Sequence, residues 1–259
     1  MLINNTFRTF EKIKRHIDNK SPMSLIRLGD GEGAILGYPE LHSEEQIRSS
    51  YQIWFGKTIL EHEQIVDIAT NLKLAISAAD IVGMPREEQY KKSPFYSCIP
   101  QVLENENLLT NDTFFTHAAI HRLLHFGLLL RPILSYRQYI GLIGGRDISG
   151  ILKNTFNVQN TDYYEVKSEA RFPNDVSKPH YPDAFYEMKE RILVKTKGDI
   201  FLVGAGILGK IYCQWIKEQG GVAIDLGAMF DAWSGVKSRL TNPIHSIELY
   251  SKYPKISQN

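Results

Sequence analysis

Apolar side chains recur along the chain in two rhythms that take turns. Phe7, Phe10, Ile13 and Ile17 fall at three- and four-residue steps within residues 6–18, the spacing that stripes one face of a helix. A short apolar run follows at 24–28 (SLIRL), with the length and character of a buried strand. The alternation then repeats. Helices are predicted over 43–55 and 60–78, the first opened by Ser43 and Gln46 at the spacing of a reciprocal cap. A strand is predicted over 80–84, stopped by Pro85, and another over 113–116, followed by a helix over 118–130. Further strands are expected over 138–143, ending in Gly144-Gly145, and over 162–166. A helix over 183–195, a strand over 199–203, a helix over 207–219 and a strand over 222–225 complete the series. Strands separated by helices predict an α/β fold: a mainly parallel, Rossmann-like sheet flanked by helices. Residues 169–182, with Pro173, Pro179 and Pro182, predict a long loop of the kind that often carries function.

Length and composition narrow this picture. At 259 residues, a single α/β domain is the expected organisation. A net charge of +1 supplies no field for gathering nucleic acid, so no nucleic-acid partner is expected. The two cysteines, Cys98 and Cys213, form no CxxC pair or zinc spacing, and so few cysteines suit a reducing cytoplasm. The first twenty residues are polar and basic, with no apolar core of a secretory signal. No run approaches the ~18 apolar residues of a membrane span.

In open α/β sheets, ligands sit beyond the carboxyl ends of the strands, which directs attention to the segments after each strand. Arg27, Gly29, Asp30, Gly31, Glu32 and Gly33 follow the first one. Three glycines there suggest a tight, exposed backbone that lets a ligand approach. Asp30 and Glu32 offer hard oxygens for Mg²⁺ or Mn²⁺ shared with substrate phosphates. Arg27 would pair with a phosphate or hold one acid in place. The plainer alternative is a turn with solvated acids and a structural arginine. Gly204, Gly206 and Gly209, with Lys210 next, form GxGxxG between a strand and a helix, a setting that binds anions. Asp225 then ends the next strand, where a dinucleotide fold would use it on a ribose. Tight strand–helix packing would demand the same glycines. Gly144-Gly145-Arg146-Asp147 is a further strand end suited to an anion, unless it is a plain turn with Asp147 as a helix cap. In the stretch 225–235, Asp231 joins Asp225, and Trp233 would either stack on a base or sugar or pack in the core with Phe230.

Other constellations carry less. His117, His121 and His125 lie on one stripe if the helix is continuous, but the outer two would be ~12 Å apart along its axis, too far to share an ion. His117, just after a strand, is the one expected to face a ligand. Cys213 reads as core. GxSxG and GxxxxGK[ST] are absent, which argues against an α/β-hydrolase and a P-loop NTPase.

The segment IRLGDGEGAILG resembles the R-x-GDGE signature of bacterial GT-D-type glycosyltransferases, and GAGILGKIYCQWIKEQGGVAIDLGAMFDAWSG resembles the C-terminal block of the same family. The two cover about a sixth of the chain; the middle, including the histidines, matches nothing recognisable. The resemblance implies one GT-D-like α/β domain, a UDP-sugar donor and bacterial surface-glycan assembly on a glycan, lipid-linked or glycoprotein acceptor. It also implies that Asp30 and Glu32 lie at the divalent-metal and sugar-nucleotide site. On this reading Arg27, Lys210 and the helix start at Gly206 would add positive potential for the leaving diphosphate. Asp231, Asp225 or Glu169 would serve as base for an acceptor hydroxyl. Two other readings compete. An NAD(P)-dependent oxidoreductase would use GAGILG and Asp225 but leaves GDGE unexplained. A non-catalytic module would bind a nucleotide sugar without turnover.

Overall fold

The structure, a computed structural model, describes residues 3–56, 59–238 and 246–253. In chain order the elements are α1 (Thr6–Asp18), β1 (Met23–Arg27), α2 (Asp30–Leu36), α3 (Glu44–Phe55), α4 (His62–Ala78), β2 (Ile81–Met84), α5 (Glu87–Tyr90), α6 (Pro94–Asn105) and β3 (Phe114–His117). They continue as α7 (Ile120–Phe126), α8 (Leu130–Leu134), β4 (Tyr139–Gly144), α9 (Ser149–Phe156), β5 (Asn160–Glu165), α10 (Phe185–Arg191), β6 (Ile200–Gly204), α11 (Gly209–Glu218), β7 (Val222–Asp225), α12 (Met229–Trp233) and α13 (Leu249–Lys252).

The strands form one sheet in the order β3-β2-β1-β7-β6-β4-β5. Every neighbouring pair is parallel. Inner strands of such a sheet are covered on both faces, which is why they read as unbroken apolar runs. Successive residues nevertheless divide between two cores. Ile26, Val82 and Val203 face a layer built from α2, α3, α4, α6, α10 and α11. Leu25, Ile81 and Leu202 face a second layer of α1, α7, α8, α9 and α12. The chain leaves β1 and β6 toward the first layer but leaves β4 and β7 toward the second. Neighbouring strands that send their chains to opposite layers open a crevice at their carboxyl ends. Here β1 borders β7 and β6 borders β4, so the crevices lie at the centre of the sheet.

Several elements differ from expectation. The helix expected over 118–130 is two short helices, because the chain turns at Gly127 and takes a left-handed conformation at Leu128 (φ 56°). The helix expected over 183–195 is confined to α10, preceded by a kinked segment at His180–Ala184 in which Tyr181 is extended, and ended by extended backbone at Ile192. Residues 206–208 form a turn, so α11 starts at Gly209 and not at Ile207. The GDGE segment is not an exposed loop: Asp30 opens α2, and Gly31, Glu32 and Gly33 are buried. Gly33 has no room for a side chain, since a Cβ there would lie 1.7 Å from the Phe95 carbonyl oxygen in α6. The reciprocal cap of Ser43 and Gln46 is present, at 2.8 and 3.4 Å.

Candidate active site

A cleft of about 760 Å³ opens at the carboxyl ends of the central strands. The turn from β1 into α2 forms one wall. Glu32, in the first turn of α2, reaches back so that its Oε2 accepts the Gly29 amide at 2.8 Å, the acid half of a capping box. Residues two apart on a helix do not face each other, so Asp30 and Glu32 separate. Asp30 is exposed at the cleft, its Oδ1 accepting the Gly31 amide at 3.0 Å. Glu32 turns inward and is only 6% exposed.

The turn from β6 into α11 faces it. Buried Lys210 crosses from α11 and places Nζ 2.8 Å from Glu32 Oε1 and 3.3 Å from Asp225 Oδ2, and donates to the Gly206 carbonyl at 2.9 Å. Arg27, at the end of β1, completes the cluster. It donates to Asp225 Oδ1 at 2.9 Å, to the Asp225 carbonyl at 3.1 Å and to the Ala118 carbonyl at 3.3 Å. Two cations thus meet two carboxylates, which is what permits Lys210, Glu32 and Asp225 to be buried and Arg27 largely covered. Burial alone would depress Lys210, but Asp225 and Glu32 outweigh it and hold the ammonium above its ordinary pKa. Burial would raise Asp225, but Arg27 and Lys210 outweigh it and hold the carboxyl below its ordinary value. His121 Nδ1 accepts from Arg27 at 2.9 Å. Burial first, then Arg27 and Arg122, push this imidazole well below its ordinary pKa, so it is neutral.

Arg27 holds an acid in place, one of the two roles expected of it, and lines the cleft. Asp225, 2% exposed and gripped by Arg27 and Lys210, is not presented to a ribose. The charge of Lys210 is matched by its two carboxylates. The Gly209 amide donates to Ala205 and Gly206 carbonyls and the Lys210 amide to Ile207, so these groups close the turn on itself.

The glycines have steric roles. Gly206 has φ +58°, and a Cβ there would lie 2.4 Å from the indole of Trp54. A Cβ on Gly204 would lie 2.7 Å from the Phe230 ring, and one on Gly209 3.1 Å from Val203. Gly227 has φ +48°, and a Cβ there would meet the Arg27 guanidinium at 2.1 Å.

Beyond β4, Arg146 donates to Asp231 Oδ1 at 3.1 Å and to the carbonyls of Phe172 and Pro173. It therefore ties the 169–182 loop to α12 and also lines the cleft. Asp147 does act at the start of α9, its Oδ1 accepting the Ser149 amide at 2.8 Å. Asp231 is part-exposed on the cleft wall, and buried Glu169 pairs with Arg171 at 2.5 Å. Trp233 belongs to the second core, against His125, Phe156 and Tyr250.

His117 stands in the strand before the helix, and His121 and His125 share α7. His117 ends β3, His121 lines the cleft and His125 is core, so it is His121 and not His117 that faces the candidate site. Both cysteines are buried, and burial pushes the Cys98 thiol up to about 11, which removes it as a nucleophile. The sequence pattern does not reveal Trp54, Tyr96, Arg86, Lys92 and Lys167, which stand on the cleft wall. The first four lie in or beside helices, where nothing in their spacing distinguishes them from ordinary surface positions, and Lys167 lies just past β5 without a motif around it.

Among the described residues no cluster of three or more His, Cys, Asp or Glu side chains is arranged to hold a metal. A Mg²⁺-type site needs only one or two carboxylates when phosphates complete it. Asp30, exposed on the cleft, fits that requirement; Glu32 would contribute only by releasing Lys210. No helix among the described residues is long and apolar enough to cross a membrane.

No curated protein matches the chain. Solved structures do resemble it. One is a selenomethionine-substituted structure of domain of unknown function 1792, with TM-score 0.56 and 16% identity, covering 100% of this chain and 92% of that one. Another is described as a new glycosyltransferase of the same domain type from Streptococcus sanguinis, with TM-score 0.56 and 14% identity over 93% of this chain and 88% of that one. A third, of the same domain and described as having a distinct glycosyltransferase fold, gives TM-score 0.51 and 17% identity over 98% and 96%. At these identities the likeness establishes the fold. The family described as GT-D fold-like domain matches residues 4–233, nearly the whole described chain, and the protein belongs to that family.

Proposed function

We propose that the protein is a glycosyltransferase that moves a sugar from a nucleotide-sugar donor, a UDP-sugar, to a hydroxyl of a glycan, lipid-linked or glycoprotein acceptor. One observation carries the reading. The GDGE and GAGILG segments, far apart in sequence, form facing walls of a single cleft and are joined by the Lys210–Glu32 contact at 2.8 Å. More cationic than acidic side chains line that cleft, with Arg86, Lys92 and Lys167 among them, which suits an anionic donor. Bacterial surface-glycan assembly by a cytoplasmic enzyme is part of the same proposal.

In the transfer, the bond from the anomeric carbon to the diphosphate oxygen breaks, and a bond to the acceptor oxygen forms. A divalent ion, Mn²⁺ or Mg²⁺, when bound would neutralise charge growing on the leaving diphosphate. Asp30 would hold it. Glu32 and Asp225 are assigned to keeping Lys210 and Arg27 in place beneath the site, so that the α2 turn is rigid where the diphosphate arrives. Asp231 is assigned as the group that takes the acceptor proton, because it is the part-exposed carboxylate on the opposite wall.

An oxidoreductase fits less well, since the acid it would offer to ribose is buried in a charge cluster. The test is a panel of nucleotide sugars incubated with and without Mn²⁺ and assayed for free nucleoside diphosphate. Metal-stimulated release from at least one donor is expected. Binding without turnover would point instead to a non-catalytic module, and binding of NAD alone would favour the oxidoreductase.

A further inference from the structure

Trp54 occupies the next-to-last position of α3, and its indole lies against both glycine motifs. A Cβ on Gly31 would come within 3.1 Å of its Nε1, and one on Gly206 within 2.4 Å of its six-membered ring. Two turns from opposite ends of the sequence thus leave room for the same ring. The end of α3 is anchored around it: the Ala170 amide donates to the Ile53 carbonyl at 2.9 Å, and Phe55 packs edge-on against Tyr181. Trp54 is nevertheless part-exposed and lines the cleft, whereas Trp215 and Trp233 are 6% and 4% exposed and belong to the cores.

A ring held on bare backbone beside a polar cleft presents its remaining surface to a ligand. In the turn beneath it the Gly209 and Lys210 amides are bonded within the turn, and Lys210 is paired with Glu32 and Asp225. Gly31, on which the indole rests, directly follows Asp30. A planar group stacked on the indole is therefore beside the turn that carries the exposed carboxylate.

We propose that Trp54 is the stacking platform for the nucleobase of the donor. This rests on the nucleotide-sugar reading above. Bases stack on aromatic side chains through their π-faces, and truncating such a side chain costs enough to weaken binding about tenfold or more. The two other tryptophans are buried away from the cleft, so a fluorescence change on nucleotide binding reports Trp54.

The test is titration of wild-type protein, Trp54→Phe and Trp54→Ala with uridine diphosphate, followed by calorimetry and tryptophan fluorescence, with inorganic pyrophosphate as control. The expected result is quenching in the wild type, loss of the quench but near-wild-type affinity in Trp54→Phe, and affinity about tenfold or more weaker in Trp54→Ala. Pyrophosphate affinity should be the same in all three, which separates loss of stacking from misfolding. Equal diphosphate affinity in the wild type and Trp54→Ala overturns the platform while leaving the donor reading intact. The platform is likewise overturned if Trp54→Ala weakens only a nucleotide sugar and not uridine diphosphate, since the ring would then hold the sugar. Failure of the wild type to bind uridine, guanosine or thymidine diphosphate overturns both.

Discussion

Asp30 and Glu32 stand one residue apart and have opposite surroundings, so they should respond differently to the loss of charge. Asp30 is exposed, and Asp30→Asn is expected to leave stability within about 0.5 kcal/mol while abolishing metal-stimulated transfer. Glu32 is buried against Lys210, and Glu32→Gln removes one partner of an interior ion pair, a loss on the order of 3 kcal/mol. Denaturant unfolding of the two variants beside wild type checks this; equal midpoints would contradict the buried pairing. Asp231→Asn is expected to lower kcat by about 10²–10⁴ with donor affinity little changed, if it takes the acceptor proton. A fall in donor affinity with kcat intact would remove it from that role.

At the scale of elements, steric fit decides what the pattern of residue types leaves open. The glycine-rich start of α2 reads as a turn from composition, yet it is helical because Gly33 lets α6 approach to contact. Gly33→Ala places a methyl group inside the Phe95 carbonyl and is expected to destabilise the fold by about 1–3 kcal/mol or more, measurable as a lowered unfolding midpoint. A neutral effect would mean that α2 and α6 can separate at no cost. Helix α6 is not legible in the sequence, since Pro94 and Pro100 obscure its period, although Pro94 sits at the tolerated first position. The strands and long helices are legible because burial on both faces or one face leaves a period in the sequence. The break at Gly127 is not, because a single left-handed residue at Leu128 carries no apolar signature.

Across the whole molecule, the parallel sheet and its central crevice follow from the alternation of elements, and the two glycine motifs from their place after strands. What those motifs do inside the cleft is hidden from the sequence, because it depends on contacts between distant residues: Lys210 with Glu32, Arg27 with Asp225, and Trp54 with Gly31 and Gly206. Buried charge and imidazole also set a pH response. His180 is buried, which pushes its pKa from 6.5 to about 4. The unfolded chain therefore binds the extra proton first, and stability falls as pH drops from about 6.5 to 4, by about 3 kcal/mol from this residue. Asp225, held below its ordinary value, adds a loss at still lower pH as it protonates in the folded state. Unfolding free energies measured between pH 7 and 4 should show this slope, with His121 contributing in the same direction, and His180→Gln should reduce it; an unchanged slope would mean that His180 does not contribute.

The most direct test of the cleft as a donor site is calorimetric titration of wild type and Asp30→Asn with uridine diphosphate, with and without Mn²⁺, and with NAD as competitor. One diphosphate per chain, bound more tightly with Mn²⁺ in the wild type only and unaffected by NAD, is the predicted result. Identical Mn²⁺ dependence in Asp30→Asn, or displacement of the diphosphate by NAD, would contradict it.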